Sequence, residues 1–210
     1  MFFCFLLFAL LSLGTLSAAQ AQDKPAQMPP ATSHAAPAVP ASGARAEFLE
    51  QLAYFEGRFT RLAEALPAEK FSWRPGEGVR SVGDVYAHVA GGNYLFLRFL
   101  DVQPPVGVDP KAIMAGGSDK AKTVQALKNS FAYFRKSVAG LSDADLDKPA
   151  SFFGQKTTQR GILFHTAAHL GEHLGQSIAY ARMNGVVPPW TAEQKQKEKE
   201  QHKHDEQPKP

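Results

Sequence analysis

Three histidines, His165, His169 and His173, are spaced four residues apart in the segment HTAAHLGEHLGQ. In a helix each residue turns the chain by about 100°, so residues four apart drift by only about 40°. His169 and His173 would then share one helix face, with His165, Gln176 and Tyr180 within roughly 60° of it as candidate pocket or supporting residues. Two imidazoles one turn apart bind a single ion in many zinc sites. The spacing alone leaves two interpretations open, a metal site and a solvated helix face that carries histidines by chance.

A further histidine, His88, lies among apolar residues in VYAHVAGGNYLF. A lone histidine in such a setting is usually a core residue that bonds a carbonyl group. Helical bundles, however, build metal sites from side chains on facing helices, and Gly91 and Gly92 remove side-chain bulk about one turn after His88. One histidine from this helix and two from the later one give three neutral nitrogens and an open position, the pattern of a catalytic metal site.

Two acidic residues lie near these histidines in the sequence. Asp84 comes one turn before His88 and has two interpretations, a group that orients the imidazole and a helix-capping acid. Glu172 precedes His173, but it lies roughly 80° from the centre of the ligand pair. We therefore interpret Glu172 as a solvated or inter-helix carboxylate. The order also differs from His-Glu-x-x-His, so a metalloprotease-type base is not implied.

Four long helical segments must position the histidines and the acidic residues near them. Apolar residues recur at spacings of three and four, and the segments span about residues 45–66, 82–100, 118–139 and 158–184. Four such helices without a series of strands predict an all-α four-helix bundle. The connection over residues 101–118 is long enough to cross the bundle, so an up-down-up-down arrangement is not required. The segment SFFGQKTT is expected to be a linker, with an extended backbone as one option.

The N-terminal segment has the form of a secretory signal peptide. An apolar run from Phe2 to Leu13 is followed by Ala19-Gln20-Ala21, a small-residue cleavage site. No Lys or Arg precedes the run, so an uncleaved membrane anchor is the alternative, although the run is short for a membrane span. We expect residues 1–21 to be a signal peptide and the protein to be periplasmic or secreted, without a membrane partner after cleavage.

Two other segments lack core-forming residues. Residues 22–44 are rich in Pro, Ala and Ser and are expected to be a disordered linker, and the charged residues 191–210 a disordered tail. The folded domain is therefore expected to span residues 45–190. The only cysteine, Cys4, lies in the signal segment, so a cleaved product has no disulfide, thiolate ligand or cysteine nucleophile.

Charge indicates little about partners. The net charge of +3 is modest, and there is no block of basic residues with interleaved aromatics, so nucleic acid is not an expected partner. The sequence leaves open whether the protein forms a homodimer.

Taken together, the motifs resemble the DinB-like superfamily of metal-binding four-helix bundles. The family's Trp-Arg-Pro, Ser-Val and helix-two histidine are matched in the segment LPAEKFSWRPGEGVRSVGDVYAHVAGGNYLF. Its His-x-x-x-His pair, the Gly-Gln that follows and the closing Gly-x-x-Pro-Pro are matched in the segment HTAAHLGEHLGQSIAYARMNGVVPPW. The resemblance covers nearly all of residues 45–190 and implies an up-down-down-up connection. It also implies one divalent metal ion, nickel or zinc, held by His88, His169 and His173, with His165 at a position that the family does not use as a ligand. Relatives often have His-His-Arg-Gly-Gln where this chain has Glu172 before His173.

The resemblance implies two kinds of activity, because some relatives transfer a low-molecular-weight thiol and others are metal-dependent hydrolases. In both, a metal would lower the pKa of a bound nucleophile and polarise the substrate. Reduced thiols are scarce in an oxidising compartment. Our leading hypothesis is therefore an exported metal-dependent hydrolase or nucleophilic transferase acting on a small molecule. The alternative is a non-catalytic metal-binding or small-ligand-binding protein, and a purely structural bundle comes third.

Overall fold

The computed structural model describes residues 43–205, in which there are six α-helices and one β-hairpin. The predicted signal peptide, nearly all of the predicted spacer and residues 206–210 lie outside this range. The four predicted long helices are present, with ends close to those expected. In chain order the elements are α1 (Ala44–Ala65), α2 (Val82–Arg98), α3 (Pro110–Met114), α4 (Lys120–Ala139), β1 (Pro149–Phe152), β2 (Gln155–Thr158), α5 (Gln159–Met183) and α6 (Pro189–Asp205).

The core lies between α1, α2, α4 and α5. Helices α1 and α2 each pack against both α4 and α5, so they occupy opposite corners of the bundle. The fully buried ring of Phe59 on α1 contacts Tyr86 on α2 and Phe131 on α4, with centroids 6.4 Å and 5.9 Å away. On α5, Ile162 and Leu170 are fully buried. The apolar stripes of all four helices thus form one core, as the periodicity predicts.

Contacts at the helix ends give the direction of α4. Arg45, at the start of α1, donates to the carbonyl of Leu141 just after α4, and Lys120, at the start of α4, donates to the carbonyl of Leu66 just after α1. Helices α1 and α4 are therefore antiparallel. Helices α2 and α4 are parallel, because Gly83 near the start of α2 lies against Gly117, which comes just before α4. A Cβ atom at Gly83 would lie 1.8 Å from the Gly117 carbonyl oxygen, so this close approach needs glycine.

Helix α5 is antiparallel to α2. Trp73, before α2, contacts Tyr180 near the end of α5, whereas Phe96 near the end of α2 contacts His169 in the middle of α5. The bundle is therefore connected up-down-down-up, which confirms the expected arrangement. The long connection between the parallel helices α2 and α4 includes the short helix α3.

Two segments differ from the sequence-based expectation. SFFGQKTT is part of an antiparallel hairpin in which Phe152 pairs with Gln155. The prediction of a disordered tail is wrong for residues 191–205, because they belong to α6. This segment is rich in helix-forming Glu, Gln, Lys and Ala, and Gln194 and Gln196 donate to Glu198 and Glu200 one turn later.

The start of α6 is also held by α1. Arg61 forms an ion pair with Glu193, and the Arg58 guanidinium lies 4.2 Å from the centre of the Trp190 ring. None of the helices within residues 43–205 combines the length and the apolar character needed to cross a bilayer.

Candidate metal centre

His88, His169 and His173 form one cluster between α2 and α5, which we call the histidine site. One ring nitrogen from each residue lies within 4.8 Å of the others. The Nε2 atoms of His88 and His169 are 3.1 Å apart. Two nitrogens bound to one tetrahedral zinc ion, each with a bond of 2.0–2.1 Å, would be separated by about 3.3 Å. The His88–His169 pair therefore has the spacing that a shared ion requires, and the third imidazole nitrogen lies within 4.8 Å of both.

The surroundings keep two of these imidazoles uncharged. Burial, together with the charges of His173, His88 and Arg80, lowers the pKa of His169 to about 3, and burial is the largest of these causes. Burial, with smaller effects of Arg80 and His173, likewise lowers the pKa of His88 to about 4. A metal ion binds the neutral imidazole, so at neutral pH no proton has to be removed from either ring. The donor set of three imidazoles suits zinc or nickel.

His173 is oriented by the next turn of its own helix. Its Nδ1 atom lies 2.9 Å from Oε1 of Gln176. An amide oxygen only accepts hydrogen bonds, so Nδ1–H donates and the lone pair remains on Nε2. The Gln176 amide nitrogen donates to the Tyr180 hydroxyl at 3.0 Å, and the Tyr180 ring packs edge-on against Trp73 with centroids 5.4 Å apart. Gln176 and Tyr180 therefore support the orientation of the His173 imidazole, a candidate metal ligand.

Gly92 provides the space that His169 occupies. A Cβ atom at this position would lie 3.1 Å from the His169 Cε1 atom. Gly91 has a different role, because its added Cβ would lie 2.6 Å from the carbonyl oxygen of Pro110 on α3. The sequence-based suggestion that these glycines make room for a ligand therefore holds for Gly92 only. The Nδ1 atom of His169 is buried and has no hydrogen-bond partner within residues 43–205.

The two acidic residues lie outside the cluster of ligand atoms. Asp84 forms a capping box with Ser81, each accepting a hydrogen bond of 3.1 Å from the other's backbone N–H. Its carboxylate also pairs with Arg74 at 3.5 Å. These contacts support the capping interpretation of Asp84. Glu172 is exposed, as expected for a solvated carboxylate.

His165 contacts the hairpin. The residue is exposed, and its ring stacks on Phe152 of β1 with centroids 4.3 Å apart and an interplanar angle of 11°. Sequence reasoning did not identify Phe152 or Phe96 as neighbours of the histidines, because it did not predict the hairpin. It also missed Arg80, whose charge acts on His88 and His169. No spacing rule marks an exposed arginine in a loop.

The fold and the histidine site define a four-helix bundle with a candidate metal-binding site between two of its helices. The sequence profile of the DinB family matches residues 39–207, so the chain belongs to the DinB family. No curated protein is similar enough to count as a match.

Two solved structures have the same fold. A DinB-like protein from Bacillus cereus superposes with a TM-score of 0.60 at 18% identity, over 68% of this chain and 93% of that chain. YfiT from Bacillus subtilis, described as a probable metal-dependent hydrolase with an unusual four-helix bundle topology, has a TM-score of 0.54 at 15% identity, over 68% of this chain and 89% of that chain.

Proposed function

We propose that the protein binds one divalent metal ion, zinc or nickel, at the histidine site and uses it as a hydrolase or nucleophilic transferase acting on a small molecule. The observation that carries the proposal is the convergence of three imidazoles, with His88 and His169 Nε2 atoms 3.1 Å apart and uncharged at neutral pH. The structural likeness to YfiT, described as a probable metal-dependent hydrolase, supports the same reaction class.

The histidine site has the features that such chemistry needs. When bound, the metal supplies a Lewis acid that activates a nucleophile and polarises the substrate. The three imidazoles would hold the ion as its protein ligands and would leave a position open for the reactants. Gln176 keeps the proton of His173 on Nδ1, so Nε2 stays available as a ligand. Gly92 keeps the space for the His169 ring clear.

The alternative is a non-catalytic metal-binding or small-ligand-binding protein. One observation favours it: among residues 43–205, the cluster of ligand atoms consists of histidines alone, without a carboxylate to act as a general base. The carboxylate of Asp84 is engaged by Ser81 and Arg74, and Glu172 is exposed.

Metal analysis of the purified, tag-free protein tests metal binding. We expect one equivalent of zinc or nickel in the wild-type protein and in His165→Ala, and none in His88→Ala. Helical content should be equal in all three, because the core comes from the apolar stripes. Full metal content in His88→Ala would refute the proposed site.

Turnover separates the proposal from its alternative. The metal-loaded and metal-free proteins would be compared on a panel of small esters, amides and phosphoesters, with His169→Ala as the inactive control. Metal-dependent hydrolysis supports the enzyme. Stoichiometric metal without turnover of any member of the panel favours the binding protein.

We further propose that the protein functions after export, in the periplasm or outside the cell. Support comes from the apolar run Phe2–Leu13 and the small-residue site Ala19-Gln20-Ala21, which lie outside the described residues. The modest net charge of +3 also supports a small-molecule substrate over a nucleic acid.

A further inference from the structure

The hairpin before α5 presents an aromatic ring to solvent at its tip. Phe153 is 78% exposed and has a φ of 47°, and Gly154 follows with a φ of 86°. Two positive φ values are typical of the tight turn that favours Asn-Gly. A phenylalanine in this left-handed region is uncommon and costs conformational energy. The exposed ring gains no core burial in return, so its placement points to a role outside folding.

Ring contacts run without a break from this tip to the histidine site. Phe153 contacts Phe152 and Phe99, with centroids 4.7 Å and 5.1 Å away. Phe152 contacts Phe96 at 5.5 Å, and Phe96 contacts His169 at 5.0 Å. His165 stacks on Phe152. We call this set the aromatic shelf; Phe153 and His165 are its exposed rings, Phe99 and Phe152 are half-buried, and Phe96 is the buried ring that contacts His169.

The base of the hairpin is fixed to the helix that carries two of the ligands. Strand β2 leads directly into α5, and the Thr158 hydroxyl accepts a hydrogen bond of 3.2 Å from the Gly161 N–H at the helix start. The Gln159 N–H donates to the Lys148 carbonyl at 3.0 Å, across the base of the hairpin. The aromatic shelf therefore has a defined position relative to His169.

We propose that the aromatic shelf binds the apolar, ring-bearing part of a small molecule whose polar group reaches the histidine site. This inference rests on the proposed function and names its substrate class, a compound with an aromatic or similar flat apolar group beside the reacting bond. Phenylalanine rings favour such groups through stacked and edge-to-face contacts. The shelf is far smaller than the roughly 20–30 residues a side of a stable protein interface. Its continuity with His169 also points to one ligand that spans both.

Two zinc-binding probes that differ only in their apolar part test this proposal. Acetohydroxamate and benzohydroxamate carry the same metal-binding group, with a methyl or a phenyl substituent. Their affinities for the zinc-loaded full chain would be measured by calorimetry. We expect benzohydroxamate to bind about tenfold more tightly, the ratio that corresponds to a phenyl ring stacked on the shelf.

Substitutions at the hairpin tip test whether Phe153 causes the tighter binding of benzohydroxamate. Phe153→Asn should bring the ratio close to one and leave acetohydroxamate binding unchanged, because asparagine tolerates the left-handed backbone and preserves the turn. Phe153→Tyr keeps the ring and should keep the ratio. Phe164→Asn is the matched control, since Phe164 is 70% exposed and lies about 140° around α5 from His169.

The outcomes separate this proposal from the one on which it rests. Equal affinity of the two probes in the wild-type protein, or an unchanged ratio in Phe153→Asn, would overturn the aromatic shelf while leaving the metal site intact. Zinc content is measured first. A protein that binds no zinc would overturn the proposed function, and the substrate class with it.

Discussion

Gly92 on α2 and His169 on α5 pack so closely that a methyl group on Gly92 would lie 3.1 Å from the His169 Cε1 atom. Glycine in a helix interior costs roughly 0.5–1 kcal/mol relative to alanine. At this position the cost is linked to the histidine site, because the missing side chain leaves room for a ligand ring. A helix that faces a metal site must provide such space as well as a ligand.

Replacing Gly92 by Ala should separate metal binding from folding. The added methyl displaces the His169 ring by a few tenths of an ångström, and we expect zinc affinity to fall on the order of tenfold. The thermal stability of the metal-free protein should be unchanged or higher, since alanine favours the helix. Chelator competition and thermal unfolding measure the two effects. Gly175→Ala is the control, because its Cβ has no neighbour within 4 Å; equal affinities in both variants would contradict the prediction.

Removing the amide of Gln176 should weaken metal binding through His173. In Gln176→Leu the Nδ1 proton loses its acceptor, and we expect zinc affinity to fall by about 10–100-fold. Tyr180→Phe keeps the ring against Trp73 and the amide beside His173, so its effect should be smaller. Both affinities are measured by chelator competition. Wild-type zinc affinity in Gln176→Leu would show that the amide does not orient the ligand.

The two interpretations of Asp84 give different results on mutation. If Asp84 only caps α2, Ser81→Ala and Asp84→Ala should each lower the free energy of unfolding by about 1 kcal/mol. Neither should change zinc affinity. Urea unfolding and metal titration of both variants give the answer. A selective loss of zinc affinity in Asp84→Ala would mean that this carboxylate orients His88 after all.

Acidification should destabilise the metal-free protein. The folded protein holds His88 and His169 at pKa values of about 4 and 3, below their ordinary value of 6.5. As the pH falls below 6.5, the unfolded chain takes up protons that the folded protein does not, so unfolding becomes more favourable. This stability contribution is fully present above pH 6.5 and is lost progressively as the pH falls from 6.5 to about 4 for His88 and to about 3 for His169.

Thermal unfolding between pH 7.5 and 4.5, in the presence of a chelator, measures this loss. A variant with His88→Asn and His169→Asn keeps the same carboxylates and should show a shallower dependence on pH. Equal slopes of thermal stability against pH in the wild-type protein and in the double variant would contradict the prediction.

Export can be tested on the native protein. Cleavage after Ala19-Gln20-Ala21 should leave a mature chain that begins near Gln22, because small residues at this site suit signal peptidase. Mass spectrometry of a periplasmic or extracellular fraction would give the N-terminus. A chain that keeps Met1 in a cytoplasmic fraction would exclude export.

The pair of candidate ligands could be predicted from spacing, since helix geometry alone places His169 and His173 on one face. The third candidate ligand required more than local geometry. His88 lies 81 residues from His169 in sequence, so only the bundle topology brings them together, and the resemblance to the DinB-like superfamily supplied that topology. The apolar stripes predicted four helices for the same reason that they form the core.

The hairpin and α6 escaped prediction for different physical reasons. The hairpin strands are short and largely exposed, and Phe153-Gly154 lacks the asparagine that usually marks such a turn. Helix α6 has no buried residues, so its sequence has no apolar stripe from which a helix could be predicted. Its stability comes from helix-forming residues and contacts such as Arg61–Glu193, which a periodicity argument does not count.

The sequence distance between the three histidines also determines when the protein could load the proposed metal ion. His88 comes from the first half of the chain, and His169 and His173 come from α5, so no complete site exists until α5 has docked against α2. Loading therefore follows folding, and a chain that crosses a membrane unfolded carries no ion with it. Because similar sites bind several divalent metals according to their availability, the compartment in which the bundle closes would select between zinc and nickel.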